Sequence, residues 1–317
     1  MRRARLIPRP FAARFGEQIE QLTRRADELE ARQQELRDFT EQVTWRAAEA
    51  VSRDVAAKVT EVHEELKELL RLVHDDTPRD RRLLWELRES AEYRLAYDEP
   101  EPLVSVVIPT YTNVELLLER ALPSVLTQTY ERLEVIIVGD HAAPEVGEAL
   151  AKVADPRVSY RNLTHRGPYP EDQDKLWFVA GGPPANEGLR LAAGRWIAQM
   201  DDDDAARPDR VEKLLAEARR HELEFCYGRM AMHRPDGETE ILCRFPPAAE
   251  AVGLAASLMH SGLRFMCAEL SDGDFGTVGD WARVQRMMRI GVRMGMIDDV
   301  VIDYYPNTLW ADGGADA

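Results

Sequence analysis

Residues 103–140 read LVSVVIPTYTNVELLLERALPSVLTQTYERLEVIIVGD, and their pattern decides the fold. Residues 103–109 form a short valine-rich apolar run that stops at a proline, as a strand buried on both faces does. Residues 114 to about 128 place Leu117, Leu118, Ala121, Leu122, Val125 and Leu126 at helical spacing behind Asn113, a residue type suited to a helix cap. Residues 134–138, EVIIV, are a second buried strand with Gly139-Asp140-His141 as its exit turn. Strand, helix and strand in this order make a βαβ unit with a right-handed crossover. Ligands of such sheets bind beyond the carboxyl ends of the strands, which puts residues 110–113 and Asp140 on one rim.

Downstream, the pattern predicts a helix from 144 to about 153 and a third strand over 158–162. Residues 165–184, rich in proline and glycine, read as a long loop. A helix over 186–193 and a strand over 195–200 follow, and that strand runs directly into Asp201, Asp202, Asp203 and Asp204. Four adjacent carboxylates at the end of an apolar strand repel one another and are costly when desolvated, so a cation is expected beside them. Mg²⁺ or Mn²⁺ prefers such oxygen ligands, completed by phosphate oxygens. By itself the run also fits a solvated acidic turn, with Asp204 or Asp209 as a helix cap. A helix over 208–221, a hairpin of 224–232 with 240–245, and an aperiodic stretch over 246–274 come next. The chain then gives a helix from 279 to about 290 and a last strand within 294–305.

Upstream, residues 15–73 contain no proline and only Gly16. Phe15, Ile19, Leu22, Ala26, Leu29, Gln33, Leu36, Thr40, Val43 and Ala47 alternate steps of four and three, as a heptad requires. The phase shifts at Val51, Val55 and Val59 before resuming through Val62, Leu66, Leu69 and Val73, which reads as a stutter. So narrow an apolar stripe needs a partner helix, most simply a second copy, giving a homo-oligomer. Folding back along the body is the alternative. The domain reading is a flexible basic arm over 1–14, a long helix and coiled coil over 15–75, a short helix and linker over 76–101, a globular domain over 102–306, and a disordered acidic tail over 307–317.

A net charge of −16 argues against nucleic acid as a partner. Cys226, Cys243 and Cys267 are widely spaced and odd in number, which indicates neither a zinc site nor a disulfide framework. That cysteine pattern fits a reducing cytoplasm; no apolar run reaches the length of a membrane span, and the N-terminal arginines leave peripheral membrane contact open without indicating it.

Three stretches together resemble family 2 glycosyltransferases of the GT-A nucleotide-sugar fold: the βαβ unit quoted above, PANEGLRLAAGRWIAQMDDDDAARPDRVE, and VGDWARVQRMMRIGVRMGMIDDVVIDYY. They cover residues 102–305 in the family's order; the N-terminal helix lies outside. The resemblance implies an α/β fold with a Rossmann-like, mostly parallel sheet flanked by helices, and an inverting, hexosyltransferase-like enzyme. It implies a nucleotide-sugar donor, UDP-linked or similar, and a glycan, lipid-linked or other hydroxyl acceptor.

Position by position, it makes Pro109, Thr110 and Tyr111 the loop around the nucleotide. Asp140 becomes the carboxylate that accepts a hydrogen bond from the base, in competition with an ordinary turn role. Asn186 and Gly188 match the A-x-N-x-G pattern beside the donor. Asp201 and Asp203 match the ends of D-x-D, Asp201 toward the donor or metal and Asp203 on the metal. Asp202, at the variable position and pointing elsewhere than the metal, is counted with the donor set; Asp204 orders the turn into the next helix. Asp280 matches the general base, with Asp272 and Asp274 as alternatives and a helix-cap role as its competitor. Gly139 and Gly279 stand where the family carries acidic neighbours. A non-catalytic coiled-coil scaffold with a degenerate GT-A domain is the rival reading.

Overall fold

The computed structural model describes residues 9–306, so the tail and residues 1–8 of the expected arm lie outside the described residues. The chain divides between Leu69 and Leu70 into two units. Helix α1 spans Arg9–His74 and so includes positions expected in the arm. Within the first unit Leu29, Leu36, Val43, Val51, Val55, Val59, Val62, Leu66 and Leu69 are all exposed, so the apolar stripe is laid out along the helix surface.

The second unit begins with α2 (Thr77–Glu89) and α3 (Ala91–Asp98), where the sequence predicted one helix. Ser90 divides them. Its hydroxyl donates to the Leu87 carbonyl at 2.6 Å and accepts from the Tyr93 N–H at 3.2 Å, closing one helix and capping the next.

The sheet is mixed, in the order β3-β2-β1-β4-β8-β6-β9-β5, with β7 beside β6. Strands β1 (Val104–Thr110), β2 (Leu133–Gly139), β3 (Val158–Asn162) and β4 (Trp196–Gln199) are mutually parallel, as the βαβ reading requires. Beyond β4 the pairing is mostly antiparallel. Strand β6 (Phe225–His233) forms the expected hairpin with β7 (Thr239–Leu242) and lies parallel to β9 (Met294–Tyr304), which holds the two-residue β5 (Ala205–Ala206) on its other side. The sequence pattern missed β8 (Ser257–His260), which bridges β4 and β6. All four of its residues are buried, so it carries no alternation to read.

The helix expected over 114–128 is broken into α4 (Val114–Leu116), a wide π-turn over Leu117–Ala121, and α5 (Leu122–Leu126). Pro123 has no N–H to complete a regular ladder, and the turn ahead of it widens. Helix α6 spans Pro144–Leu150. The expected loop over 165–184 contains α7 (Gln173–Val179), capped by Asp172, which accepts from the Asp174 and Lys175 N–H groups. Helix α8 (Gly182–Leu191) starts earlier than predicted. Its Gly188 lies so close to β1 that a Cβ would fall 2.2 Å from Val107 Cγ1, which accounts for the glycine. Helix α9 (Arg210–Arg220) begins after Pro208, and Asp209 at its start caps nothing but pairs with Lys213 at 2.8 Å. Helix α10 spans Gly279–Ile290.

Candidate active site

The acidic turn leaves β4 after Gln199, and each carboxylate meets a different environment. Asp202 turns back to the exit of β1, accepting from the Thr110 hydroxyl at 2.6 Å and from Asn113 Nδ2 at 3.1 Å. Asn113, expected as a cap, is therefore spent on the acidic turn. Burial raises the Asp202 carboxyl to about 6, and these hydrogen bonds oppose the rise. Asp204 is fully buried; its Oδ1 accepts from the Tyr305 N–H at 3.0 Å and its Oδ2 has no hydrogen-bond partner. Burial lifts it to about 7. It ties the turn to the end of β9, not to the helix that follows.

Asp203 is half-buried, and desolvation raises its pKa while Arg120 opposes the rise. The π-turn aims Arg120 at this site: Nη1 donates to the Asp203 carbonyl at 2.6 Å, and the guanidinium lies 3.9 Å from the centre of the Tyr305 ring. Asp201 is exposed to solvent but lies among the other carboxylates. Desolvation, then the charges of Asp204, Asp280, Asp203 and Asp202, raise its carboxyl well above the usual range.

Two buried arginines lie beneath. Arg210 donates to the carbonyls of Gln199 at 2.7 Å and Ser257 at 3.2 Å. Arg283 donates to Gln199 Oε1 and to the Met259 sulfur. Burial lowers both to about 10. The cation expected at the strand end is thus supplied in part by the chain itself. Nothing in the sequence pattern marked Arg120, Arg210 or Arg283, because an arginine in an amphipathic helix ordinarily reads as a solvated one.

Asp280 lies in the first turn of α10, behind Val278, and caps nothing in its own helix. Its Oδ2 accepts from the Leu254 N–H at 2.9 Å. Desolvation raises its pKa; the Leu254 bond and the charge of Arg283 oppose this. Asp280 acts on both Asp201 and Tyr304, whose pKa burial and the charges of Asp204, Asp201, Asp203 and Asp280 raise. The alternatives are engaged elsewhere. Asp274 pairs with Lys175 at 2.7 Å, and buried Asp272 lies 3.7 Å from Arg286.

Both glycine departures lie close to neighbouring groups. A Cβ on Gly279 would stand 3.1 Å from the Phe178 carbonyl oxygen at the end of α7. One on Gly139 would stand 2.6 Å from both Asn162 Oδ1 and the Tyr160 hydroxyl. A backbone oxygen borders Gly279, whereas Gly139 faces the ends of two side chains.

On the same rim, at the exit of β2, Asp140 is buried and accepts from the Gly167 N–H at 3.1 Å and the Tyr169 hydroxyl at 2.6 Å. Pro109 and Thr110 end β1, and Tyr111 follows, exposed. Asn186 is committed: its amide exchanges two hydrogen bonds with the main chain of Ala268, at 2.9 and 2.8 Å. Among the described residues no three His, Cys, Asp or Glu side chains converge in a metal-holding arrangement, and no helix is long and apolar enough to cross a membrane.

Residues 105–169 and 185–261 match the family model described as Glycosyl transferase family 2. The chain is 34% identical over 118 residues to the succinoglycan biosynthesis protein ExoO of Rhizobium meliloti strain 1021, covering 37% of this chain and 30% of that one. It is 29% identical over 125 residues to glycosyltransferase GlyA of Streptococcus pneumoniae serotype 4, covering 39% and 16%. The aligned part thus spans less than a third of either relative. Among solved structures, S. aureus TarS 1-349 in complex with UDP-GlcNAc is similar in fold, with a TM-score of 0.50 and 17% identity over 65% of this chain and 59% of that one.

Proposed function

We propose that the chain, which matches the Glycosyl transferase family 2 model over residues 105–169 and 185–261, moves a sugar from a nucleoside diphosphate donor, UDP-linked or similar, to a hydroxyl acceptor with inversion. The observation that carries this reading is that Asp280, from α10, and the acidic turn after β4 share one electrostatic environment. The donor complex of the TarS relative supports a UDP-linked sugar.

In this reading Asp280 is the general base. Its raised pKa makes it a better proton acceptor than an ordinary carboxylate. It takes the proton of the acceptor hydroxyl, whose oxygen forms a bond to the anomeric carbon as the bond from that carbon to the diphosphate breaks. The nucleoside diphosphate leaves from the opposite face. Asp201 faces the donor, and residues 109–111 with Asp140 border the nucleotide.

A divalent cation fits the donor set. The ligands are hard oxygens, and the mutual repulsion that raises the Asp201 carboxyl is what a cation would relieve. The Asp204 oxygen without a partner points the same way. Asp201 and Asp203 would hold Mg²⁺ or Mn²⁺, which would stabilise charge gathering on the departing diphosphate. Two protein ligands suffice for such an ion when phosphates and water complete the shell.

The exposed stripe on α1 supports self-association of that helix as a coiled coil. The central test is product formation and nucleoside diphosphate release from a nucleotide-sugar panel, with and without Mn²⁺. Turnover should require the ion and be lost in Asp280→Asn while nucleotide binding persists. Absent metal-dependent nucleotide binding, or full turnover in Asp280→Asn, would sink the reading.

A further inference from the structure

The stretch after β3 does something that neither the family pattern nor the proposed mechanism requires. Arg166 places its guanidinium 4.4 Å from the centre of the Tyr111 ring and 5.6 Å from that of Tyr169. One residue on, the Gly167 N–H donates to Asp140 Oδ1, and two further on the Tyr169 hydroxyl donates to Oδ2. Four consecutive residues thus lay a flat cation on an aromatic face and deliver hydrogen-bond donors to a carboxylate.

The segment packs against the start of α8 at Gly167. A Cβ on Gly167 would fall 2.4 Å from Pro183 Cγ at the start of α8, so the backbone passes at a distance only glycine permits.

A nucleobase bound on this rim needs the same two things: a flat face against Tyr111 and an N–H into Asp140. Two groups cannot stack on one ring face at once. We propose that Arg166 and Tyr169 belong to the nucleobase subsite as its exchangeable occupants, so that a base enters by displacing Arg166 from Tyr111 and Tyr169 from Asp140. This rests on the donor-site reading above. Donor affinity is then the intrinsic affinity reduced by the fraction of molecules in which the segment has moved aside. Removing either contact raises that fraction.

Titration calorimetry of the full chain with UDP, with GDP and with inorganic pyrophosphate, each with Mn²⁺, tests the exchange. Arg166→Ala and Tyr169→Phe should each bind the preferred nucleoside diphosphate about three- to tenfold more tightly than wild type, with pyrophosphate affinity unchanged. Equal or weaker nucleotide affinity in both variants, while wild type binds, overturns the exchange and leaves the donor reading standing. No binding of either nucleotide by any form overturns the donor reading and the exchange with it. Limited trypsin digestion of the wild type gives a check that no substitution can confound. Cleavage after Arg166 should accelerate when UDP and Mn²⁺ are added, and protection at that bond contradicts displacement.

Discussion

Two buried carboxylate environments lie in the same body and are treated in opposite ways. Glu224, just ahead of β6, is fully buried and saturated with donors. Arg88 reaches it with Nε at 2.7 Å and Nη2 at 2.8 Å, the Tyr93 hydroxyl at 2.8 Å and the Arg293 N–H at 2.8 Å. Burial raises its pKa, but the bonds from Arg88, Arg293 and Tyr93 outweigh that and leave it lowered. Asp204, equally buried, has one backbone donor and an unpartnered oxygen, and sits at about 7. Depth is the same; donor supply differs. The saturated acid anchors α2 and α3 to the sheet, and the undersupplied ones keep free attraction for a cation or a proton.

The sharpest way to break this contrast is Asp280→Asn. It should cost about 10²- to 10⁴-fold in turnover, measured by product formation, with little change in the urea midpoint. Glu224→Ala should do the reverse, removing about 3–5 kcal/mol of stability by leaving Arg88 and its neighbours without their acceptor. If Glu224→Ala unfolded no more easily than Asp280→Asn, the saturated site would not be the anchor described here.

A third carboxylate sharpens the comparison. Asp272 is buried with Arg286 3.7 Å away and is raised to about 6, desolvation being the main cause. Between the ordinary 3.8 and about 6, the folded state binds more protons at Asp272 than the unfolded chain does, so its contribution to stability falls as pH rises through that window. Glu224 has the opposite sign: with a pKa below 4.5, it adds stability above that pH and loses it as pH falls. Urea midpoints from pH 4 to 7 should therefore flatten at the upper end in Asp272→Asn. In Glu224→Gln the acid-side loss should shrink.

The smallest effect on the body is expected from α1. Val55→Glu with Val59→Glu should weaken self-association, read by sedimentation, while changing the stability of residues 70–306 by less than about 0.5 kcal/mol.

The parallel half of the sheet was legible because β1, β2 and β4 are apolar runs ending at polar turns, and the helical pieces between them keep a clear period. The antiparallel half was only partly so: the hairpin and β9 could be read, and β8 could not. The acidic turn, Asp140 and Asp280 stood out as carboxylates at strand or helix ends. Their separate environments did not, since they depend on residues far away in sequence, such as Asn113 on Asp202 and Leu254 on Asp280. Nor could the sequence show that Asn186 is committed to Ala268, or that Gly279 lies close to the carbonyl of Phe178.

Strand β8 has a consequence for the order of events during synthesis. It joins β4 to β6, yet it arrives only at Ser257–His260. Until those residues emerge, a nascent chain carries two half-sheets with unpaired edges, one at β4 beside the acidic turn and one at β6. Exposed strand edges recruit other strands, and pairings between distant segments form slowly. Late arrival of this short strand makes the interval before it a period of exposure to chaperones and to aggregation. The sheet is complete only later, when β9 pairs with β6 and β5, and that pairing sets when the molecule becomes safe to release.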